Sequence, residues 1–349
     1  MRPKTWLFAS ALALTVAVVA GCSPSSTTDG DPSALTPIEH ELPASVLAQA
    51  KTEGSVLLYS ALDETILQRV KKDFGARYGI GLTWVRGPSA TITQRFLSEL
   101  QAGTPTADVV DVAADAFFQS EMSKNTFVSL DAASFPAMAG YPEDAFVFNS
   151  FRVQINPYEI AYNTDRVQDT NAPRTYEDLT KPQFKGLLGQ PTWTASISYP
   201  RVLDFFARQY GDRYLTDFVA QQPKQYDSVV PAMQALAAGE IGVYPLATPS
   251  YLQPLLDQGA PLKAVMPAVT TGYSENVAIP AKAPHPTAAR VFMNYAMSAE
   301  GQKIIQGATG VSMLPGASEL KLPSAYVAPP VSVDAARTKA LYQLVGAAS

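Results

Sequence analysis

Cysteine is nearly absent: the 349 residues contain one, Cys22. A single cysteine permits no disulfide and no thiolate metal site within one chain. Histidine is almost as scarce, with only His40 and His285. His40 sits in a polar stretch and His285 between Pro284 and Pro286, so burial is expected for neither. No G-x-S-x-G elbow, Cys–His pairing or H-E-x-x-H helix occurs. Basic charge is in deficit too: 26 Lys and Arg against 31 Asp and Glu give a net charge of −5. A nucleic-acid partner would need a basic face, so none is expected. Past the first twenty residues no long apolar run occurs, so no membrane-spanning helix is expected. These absences lead us to expect no enzyme, no cofactor and no resident metal.

The first twenty residues supply what the rest lacks. Arg2 and Lys4 precede an apolar run from Trp6 to Ala20, which ends in Val19-Ala20-Gly21-Cys22. The run is short for a span and fits a cleaved signal better. The pattern resembles the bacterial lipobox, in which the cysteine becomes the lipid-bearing first residue. Loss of residues 1–21 would remove Arg2 and Lys4 and take the net charge from −5 to −7. Residues 22–45, rich in Ser, Thr, Pro and Asp, read as a lipid-anchored flexible tether with a coil reach of roughly 25–30 Å. Export and attachment to the outer face of the cytoplasmic membrane follow as expectations.

The body alternates strand and helix. Residues 55–59 read as a buried strand. Ile66, Leu67, Val70 and Phe74 recur at helical spacing, with Asp63 as a candidate N-cap and Gly79 as a stop. A second strand at 82–85, a helix carrying Ile92, Phe96, Leu97 and Leu100, and a third strand at 108–112 complete the unit. Such an order implies a parallel sheet with helical crossovers. In open parallel sheets ligands bind beyond the carboxyl ends of the strands, which points to the loops 60–64, 87–91 and 112–115. A second α/β unit is read from a strand at 160–164, helices around Leu203–Tyr210 and Val229–Ala237, and a strand at 241–244. A late helix follows Pro286.

Six segments then carry a resemblance: VLLYSALDE (56–64), ADVVDVAADAFF (107–118), AYNTDRV (161–167), APRTYEDLTKPQFKGLLGQP (172–191), AMQALAAGEIGV (232–243) and HPTAARVFMNYAMSAEGQ (285–302). Together they resemble the extracytoplasmic solute-binding proteins of ABC importers, in the two-lobed class that includes ferric-iron-binding proteins. The resemblance implies an α/β, two-lobed, class II periplasmic-binding-protein-like fold, each lobe a mostly parallel sheet flanked by helices. Lobe 1 would hold residues 46–160 and 272–312, and lobe 2 residues 161–271 and 313–349. Crossing segments are expected near residues 156–162 and 265–275. A monomeric receptor is implied, passing a small solute to a membrane permease.

Candidate ligand contacts follow from loop position and from the resemblance together. Ser60, Asp63 and Glu64 follow the first strand, where Asp63 and Glu64 could equally serve the helix start. Ser89 and Thr91 precede the second helix, where hydroxyls can cap or bind an anion. Asp115 could cap its helix or meet ligand, and Asp111 is expected to be satisfied by backbone. In the second unit Trp193 reads as core or cleft wall, and Thr194 and Ser196 as hydrogen-bonding candidates. Tyr162, Ser250, Tyr251, Tyr273 and Ser274 complete the set.

Iron is the family's familiar ligand, and here the sequence departs from it. Iron-binding members carry a histidine where Asp63 stands, a glutamate near Ala113, and adjacent tyrosines where this chain has Tyr244-Pro245-Leu246-Ala247-Thr248-Pro249-Ser250-Tyr251. The expected ligand is therefore a small polar organic solute, with phosphate- and phosphonate-bearing compounds among the candidates. Ferric iron is the alternative, and a surface hydrolase a remote second.

Overall fold

A computed structural model describes residues 35–196 and 198–347. The signal, Cys22 and most of the tether lie outside the described residues. The packed body begins before residue 45, since Leu42 is already buried and helix α1 starts at Ala44 (Ala44–Glu53).

Strand β1 (Ser55–Ser60), helix α2 (Glu64–Tyr78), strand β2 (Gly81–Arg86), helix α3 (Ser89–Gln101) and strand β3 (Val109–Val112) follow the predicted order. β1 pairs in parallel with both β2 and β3. Apolar spacing sets α2: Ile66, Leu67, Val70 and Phe74 are all buried. Gly79 ends α2 in the left-handed region, at φ 65°, which costs glycine no Cβ clash. Asp63 stands at the N-cap position, but its side chain makes no capping bond.

Helix α4 (Asp115–Met122) leads to a long irregular stretch and to β4 (Phe146–Val147), β5 (Ser150–Pro157) and β6 (Glu159–Asn163). Strand β7 (Gly189–Pro191), helices α5 (Tyr199–Tyr210) and α6 (Asp212–Val219), β8 (Lys224–Tyr226), α7 (Val229–Ala237), β9 (Val243–Ala247) and α8 (Pro249–Asp257) come next. β10 (Leu262–Val265), β11 (Val269–Thr270) and β12 (Gly272–Ala278) lead to helices α9 (Pro286–Met297) and α10 (Ala299–Gln306). Strand β13 (Ala325–Tyr326) and helix α11 (Ala335–Leu344) are last.

The main sheet runs β2-β1-β3-β12-β5-β4, and a second runs β10-β6-β9. The expectation of mostly parallel sheets needs correction. β12 is antiparallel to both β3 and β5, and β6 is antiparallel to both of its neighbours. Right-handed βα crossovers enforce parallel pairing only where a helix returns the chain to the same edge. β12 enters from the other lobe instead, so it runs against the parallel core, while β5, antiparallel to β12, runs with β3 on its way out to β6. The α/β character stands; the sheets are mixed.

Apolar residues separate into clusters. One lies between the main sheet and α1, α2, α9 and α10, and includes Phe74, Phe151 and Phe292. A smaller one covers the opposite face, with Phe96, Phe118 and Phe127. The third surrounds the three-stranded sheet and includes Tyr176, Phe205, Phe206 and Leu341. Two chain crossings join the lobes. β5 continues into β6, and β10 passes through β11 into β12. They lie side by side: Gly272 is opposite Pro157, and Tyr158 N–H donates to Thr271 O at 2.8 Å. The contact is close enough that a Cβ on Gly272 would lie 2.2 Å from Asn156 O. The C-terminal stretch joins at this seam, where Val327 N–H donates to Thr270 O, and α11 then packs with Leu341 in the cluster of the three-stranded sheet.

Candidate functional site

The carboxyl end of β1 meets the seam first. Ser60 is fully buried. Its hydroxyl donates to Asp111 Oδ2 at 2.9 Å and accepts from Leu62 N–H at 3.0 Å. Ser60 thus fixes the turn that carries Asp63. The Asp63 carboxylate accepts from Arg86 Nη2 at 3.2 Å, and Arg86 Nε holds Leu62 O at 2.7 Å. Burial raises the Asp63 pKa, and Arg86 offsets part of that rise. Glu64 turns away, bonding Gln68 and the Trp84 indole on the exposed side of α2.

Ser89 and Thr91 open α3. The Ser89 hydroxyl accepts from Ala113 N–H at 3.1 Å and ties the second loop to the third, while Thr91 is exposed. Asp115 begins α4 and is buried. One oxygen accepts from Asn276 Nδ2 at 2.7 Å, and the other faces Arg201 Nη1 at 3.4 Å. Arg201 is on α5, so this ion pair links the two lobes.

Asp111 differs from its expectation. No backbone group satisfies it; Ser60 holds one oxygen, while Oδ1 is buried without a partner. Burial pushes its pKa up to about 7. Glu275, on β12, is also buried, and its Oε2 is unpartnered. Burial together with the negative charges of Asp111, Asp63 and Asp115 drives the Glu275 pKa well up. Two buried carboxyls that feel each other's charge cannot both ionise cheaply near neutral pH.

Tyrosines fill the space between. Tyr251, at the start of α8, has its hydroxyl pushed up to about 12 by burial and then by the nearby Asp63 and Glu275. Tyr273 is raised by burial, with Glu275, Tyr251, Tyr158 and Asp63 adding to the rise. Tyr158 and Tyr273 have ring centroids 6.0 Å apart. Tyr158 is raised by burial and feels Tyr199, Arg201, Tyr326 and Tyr251, all from the second lobe, while its ring meets Tyr273 of the first.

The remaining candidates lie at varying depth. Trp193 is buried, with its indole N–H on Gln190 Oε1 at 3.1 Å and its ring edge-on to Tyr199 at 6.0 Å. Thr194 is exposed, and the Ser196 hydroxyl accepts from Ser198 N–H. Ser250 pairs with the Thr248 hydroxyl at 3.1 Å. Tyr162 donates to Asp169 at 2.9 Å. Ser274 accepts from Arg152 Nη1 at 3.1 Å. The structure therefore brings Ser60, Asp63, Asp115, Tyr251, Tyr273 and Ser274 to one seam, together with Asp111 at its strand end and Glu275 at the end of the expected second crossing, and adds Arg152, Tyr158, Arg201 and Tyr326, which sequence reasoning did not place there. The missed signal was polar residues inside strands whose neighbours are buried, as in Arg152, Gln154 and Asn156 along β5.

The arrangement can bind: it combines buried donors and acceptors from both lobes with a facing wall of tyrosines. Among the described residues no three of His, Cys, Asp and Glu converge as a metal-holding group. Comparisons with known proteins agree with a binding architecture. The sequence pattern of the family described as bacterial extracellular solute-binding protein matches residues 69–331. An uncharacterized protein of Haemophilus influenzae is 25% identical over 279 residues, 74% of this chain and 77% of that one. Iron-bound HitA from Pseudomonas aeruginosa superposes with a TM-score of 0.67 at 19% identity, over 84% of this chain and 99% of HitA. AfuA from Actinobacillus pleuropneumoniae, a periplasmic binding protein with fructose-6-phosphate bound, gives 0.60 at 19% identity, over 84% and 97%. These likenesses fix the fold as two-lobed.

Proposed function

The chain belongs to the bacterial extracellular solute-binding protein family, and from that premise we propose that it is the lipid-anchored receptor of an ABC importer. It captures a small polar organic solute between its lobes and delivers it to a membrane permease. The observation that carries this reading is the seam: Asp111 Oδ1, Glu275 Oε2 and Asn276 Oδ1 are buried there with no partner. Unpaired buried polar atoms cost on the order of 1–3 kcal/mol each, and a bound solute that pairs with them removes that cost. Binding contacts on both lobes also favour the closed arrangement over an open one. Anchoring through Cys22 would hold the receptor beside its permease.

Two neighbours of the same fold hold quite different ligands, an iron in one and a phosphorylated sugar in the other. The seam favours the organic class, because Asp63 is already paired with Arg86 and Asp115 with Arg201. One feature supports ferric iron as a second reading: Tyr251 and Tyr273 lie near Asp63 and Glu275. Native mass spectrometry of freshly purified protein tests the organic reading, since a tightly held solute copurifies. Titration of the solute-free protein with ferric citrate tests the other. A strong visible charge-transfer band with tight ferric binding, and no response to organic solutes, would replace the first reading with the second.

A further inference from the structure

The two ends of the seam differ in charge. The contacts of β12 divide in two: Tyr273 and Glu275 both feel Asp63, Tyr273 also Tyr251 and Glu275 also Asp111, while Ser274 bonds Arg152 and Asn276 bonds Asp115. The first side meets Asp63, Asp111 and Tyr251 and is rich in carboxyls. The second side meets Arg152, which is cross-strand from Asn276, and Arg201, which reaches in from α5.

On that second side cations outnumber anions. Arg152 donates Nη1 to Ser274, and its Nε is shut off from water with no partner. No carboxylate lies within ion-pair distance of Arg152 among the described residues, whereas those of Arg201 are limited to Asp115. Asp115 is itself shared, because Asn276 takes its other oxygen. Two guanidiniums and one carboxylate leave one positive charge uncompensated in a partly dry place, which is costly unless a counterion enters. The Tyr326 hydroxyl lies within the field of both arginines and of Asp115 and has no hydrogen-bond partner among the described residues.

We propose that Arg152, Arg201 and Tyr326 form the seat for an oxyanion group carried by the captured solute, a phosphate, phosphonate or carboxylate. An oxyanion there accepts from Arg152 Nε, from an arginine fork and from the Tyr326 hydroxyl, and neutralises the surplus charge. The rest of the solute then extends past Tyr158 toward Glu275 and Asp63, where hydroxyl or amine groups find acceptors. This inference rests on the receptor reading, and it narrows the ligand to compounds with one anionic end.

The test uses the full chain, stripped of bound solute by unfolding and refolding. Native mass spectrometry before stripping reports the copurifying solute. Probe pairs matched apart from the anionic group are then titrated: glucose 6-phosphate against glucose, gluconate against sorbitol, 2-aminoethylphosphonate against ethylamine, with putrescine and inorganic phosphate alongside. The copurified solute is expected to be anionic, and the anionic member of a pair to raise the melting temperature where the neutral one does not. The phosphate, phosphonate and carboxylate arms distinguish the source of the oxyanion. Arg152→Gln should weaken binding by about 10- to 150-fold, and Arg152→Lys by less. Tyr326→Phe, which keeps the ring packing, should cost about 2- to 12-fold and serves if an arginine variant does not fold. A neutral or cationic solute, or an anionic one bound equally well by Arg152→Gln and Tyr326→Phe, overturns the inference and leaves the receptor reading intact. If nothing copurifies and no probe of any charge stabilises the protein, the receptor reading falls and this inference with it.

Discussion

Replacing Asp111 by Asn isolates the cost of a buried carboxyl at the end of β3. Its pKa is raised from the ordinary 3.8 to about 7, because burial outweighs the hydrogen bond from Ser60. The folded state therefore binds a proton more readily than the unfolded chain between those values. Stability falls as pH rises through that window and levels off above it. A displacement of about three pH units, at about 1.36 kcal/mol each, amounts to on the order of 4 kcal/mol lost by pH 8. Asparagine cannot ionise, so the variant escapes that loss, and Glu275, relieved of the Asp111 charge, is raised less than in the wild type. Its amide keeps an oxygen for Ser60 but sets an N–H₂ where the unpartnered Oδ1 stood, a pH-independent cost of about 1–3 kcal/mol. The two stability curves should cross: wild type is more stable at pH 4.5, and the variant at pH 8. Urea unfolding of solute-free protein at pH 4.5, 6, 7 and 8 measures this directly. Glu159, raised by burial to about 7, bends both curves alike and drops out of the difference. A constant offset between the two proteins across the whole range would refute the reasoning.

Three further outcomes follow from the same structure. Gly272→Ala should destabilise by about 1–3 kcal/mol or more in urea unfolding, because the new Cβ would lie 2.2 Å from Asn156 O and 2.8 Å from Pro157 Cα; unchanged stability would mean that the crossing strands are not so close. Saturating solute should lower the radius of gyration in small-angle scattering, since contacts to both lobes form together only when they close, and identical curves with and without a solute proven to bind would count against closure. Cys22→Ala should release the mature protein from membranes in cell fractionation, because lipid burial supplies the anchor; a variant that stays as membrane-bound as wild type would remove the lipobox reading.

Much of the architecture was legible because local pattern and tertiary structure agree. Ile66, Leu67, Val70 and Phe74 announce α2, and each is buried. The strand–helix–strand–helix–strand order announces β1, β2 and β3, which pair in parallel. Where chain reversal came from another lobe, no local signal existed. Nothing in residues 272–278 alone says that they run antiparallel between β3 and β5. The strand at 241–244 was placed slightly early, since β9 spans Val243–Ala247. Gly242 instead donates its N–H to Leu187 O just ahead of the strand.

The site was legible only at its loops, and the reason is physical. Loop positions such as Asp63, Asp115 and Tyr251 follow from the rule that ligands gather beyond strand ends. The other half of the seam is built inside regular strands, where burial predicts apolar side chains. β5 carries Arg152, Gln154 and Asn156, and β12 carries Ser274, Glu275 and Asn276, with all but Arg152 buried. A strand that places polar groups on both of its covered faces breaks the pattern that stabilises sheets. Such a departure persists only where something offsets it, either a closed hydrogen-bond network or a ligand. Part of it is offset internally, for Asn156 Nδ2 donates to Gln154 Oε1 and Asn276 Nδ2 to Asp115 Oδ1. The part that is not offset, at Arg152 Nε, Gln154 Nε2, Glu275 Oε2 and Asn276 Oδ1, lies at the cross-strand pairs Glu275–Gln154 and Asn276–Arg152 of the two crossings. The local breach of the sheet pattern thus separates into a structural portion that is satisfied and a portion left open at the seam. That open portion is where the proposed solute contacts fall.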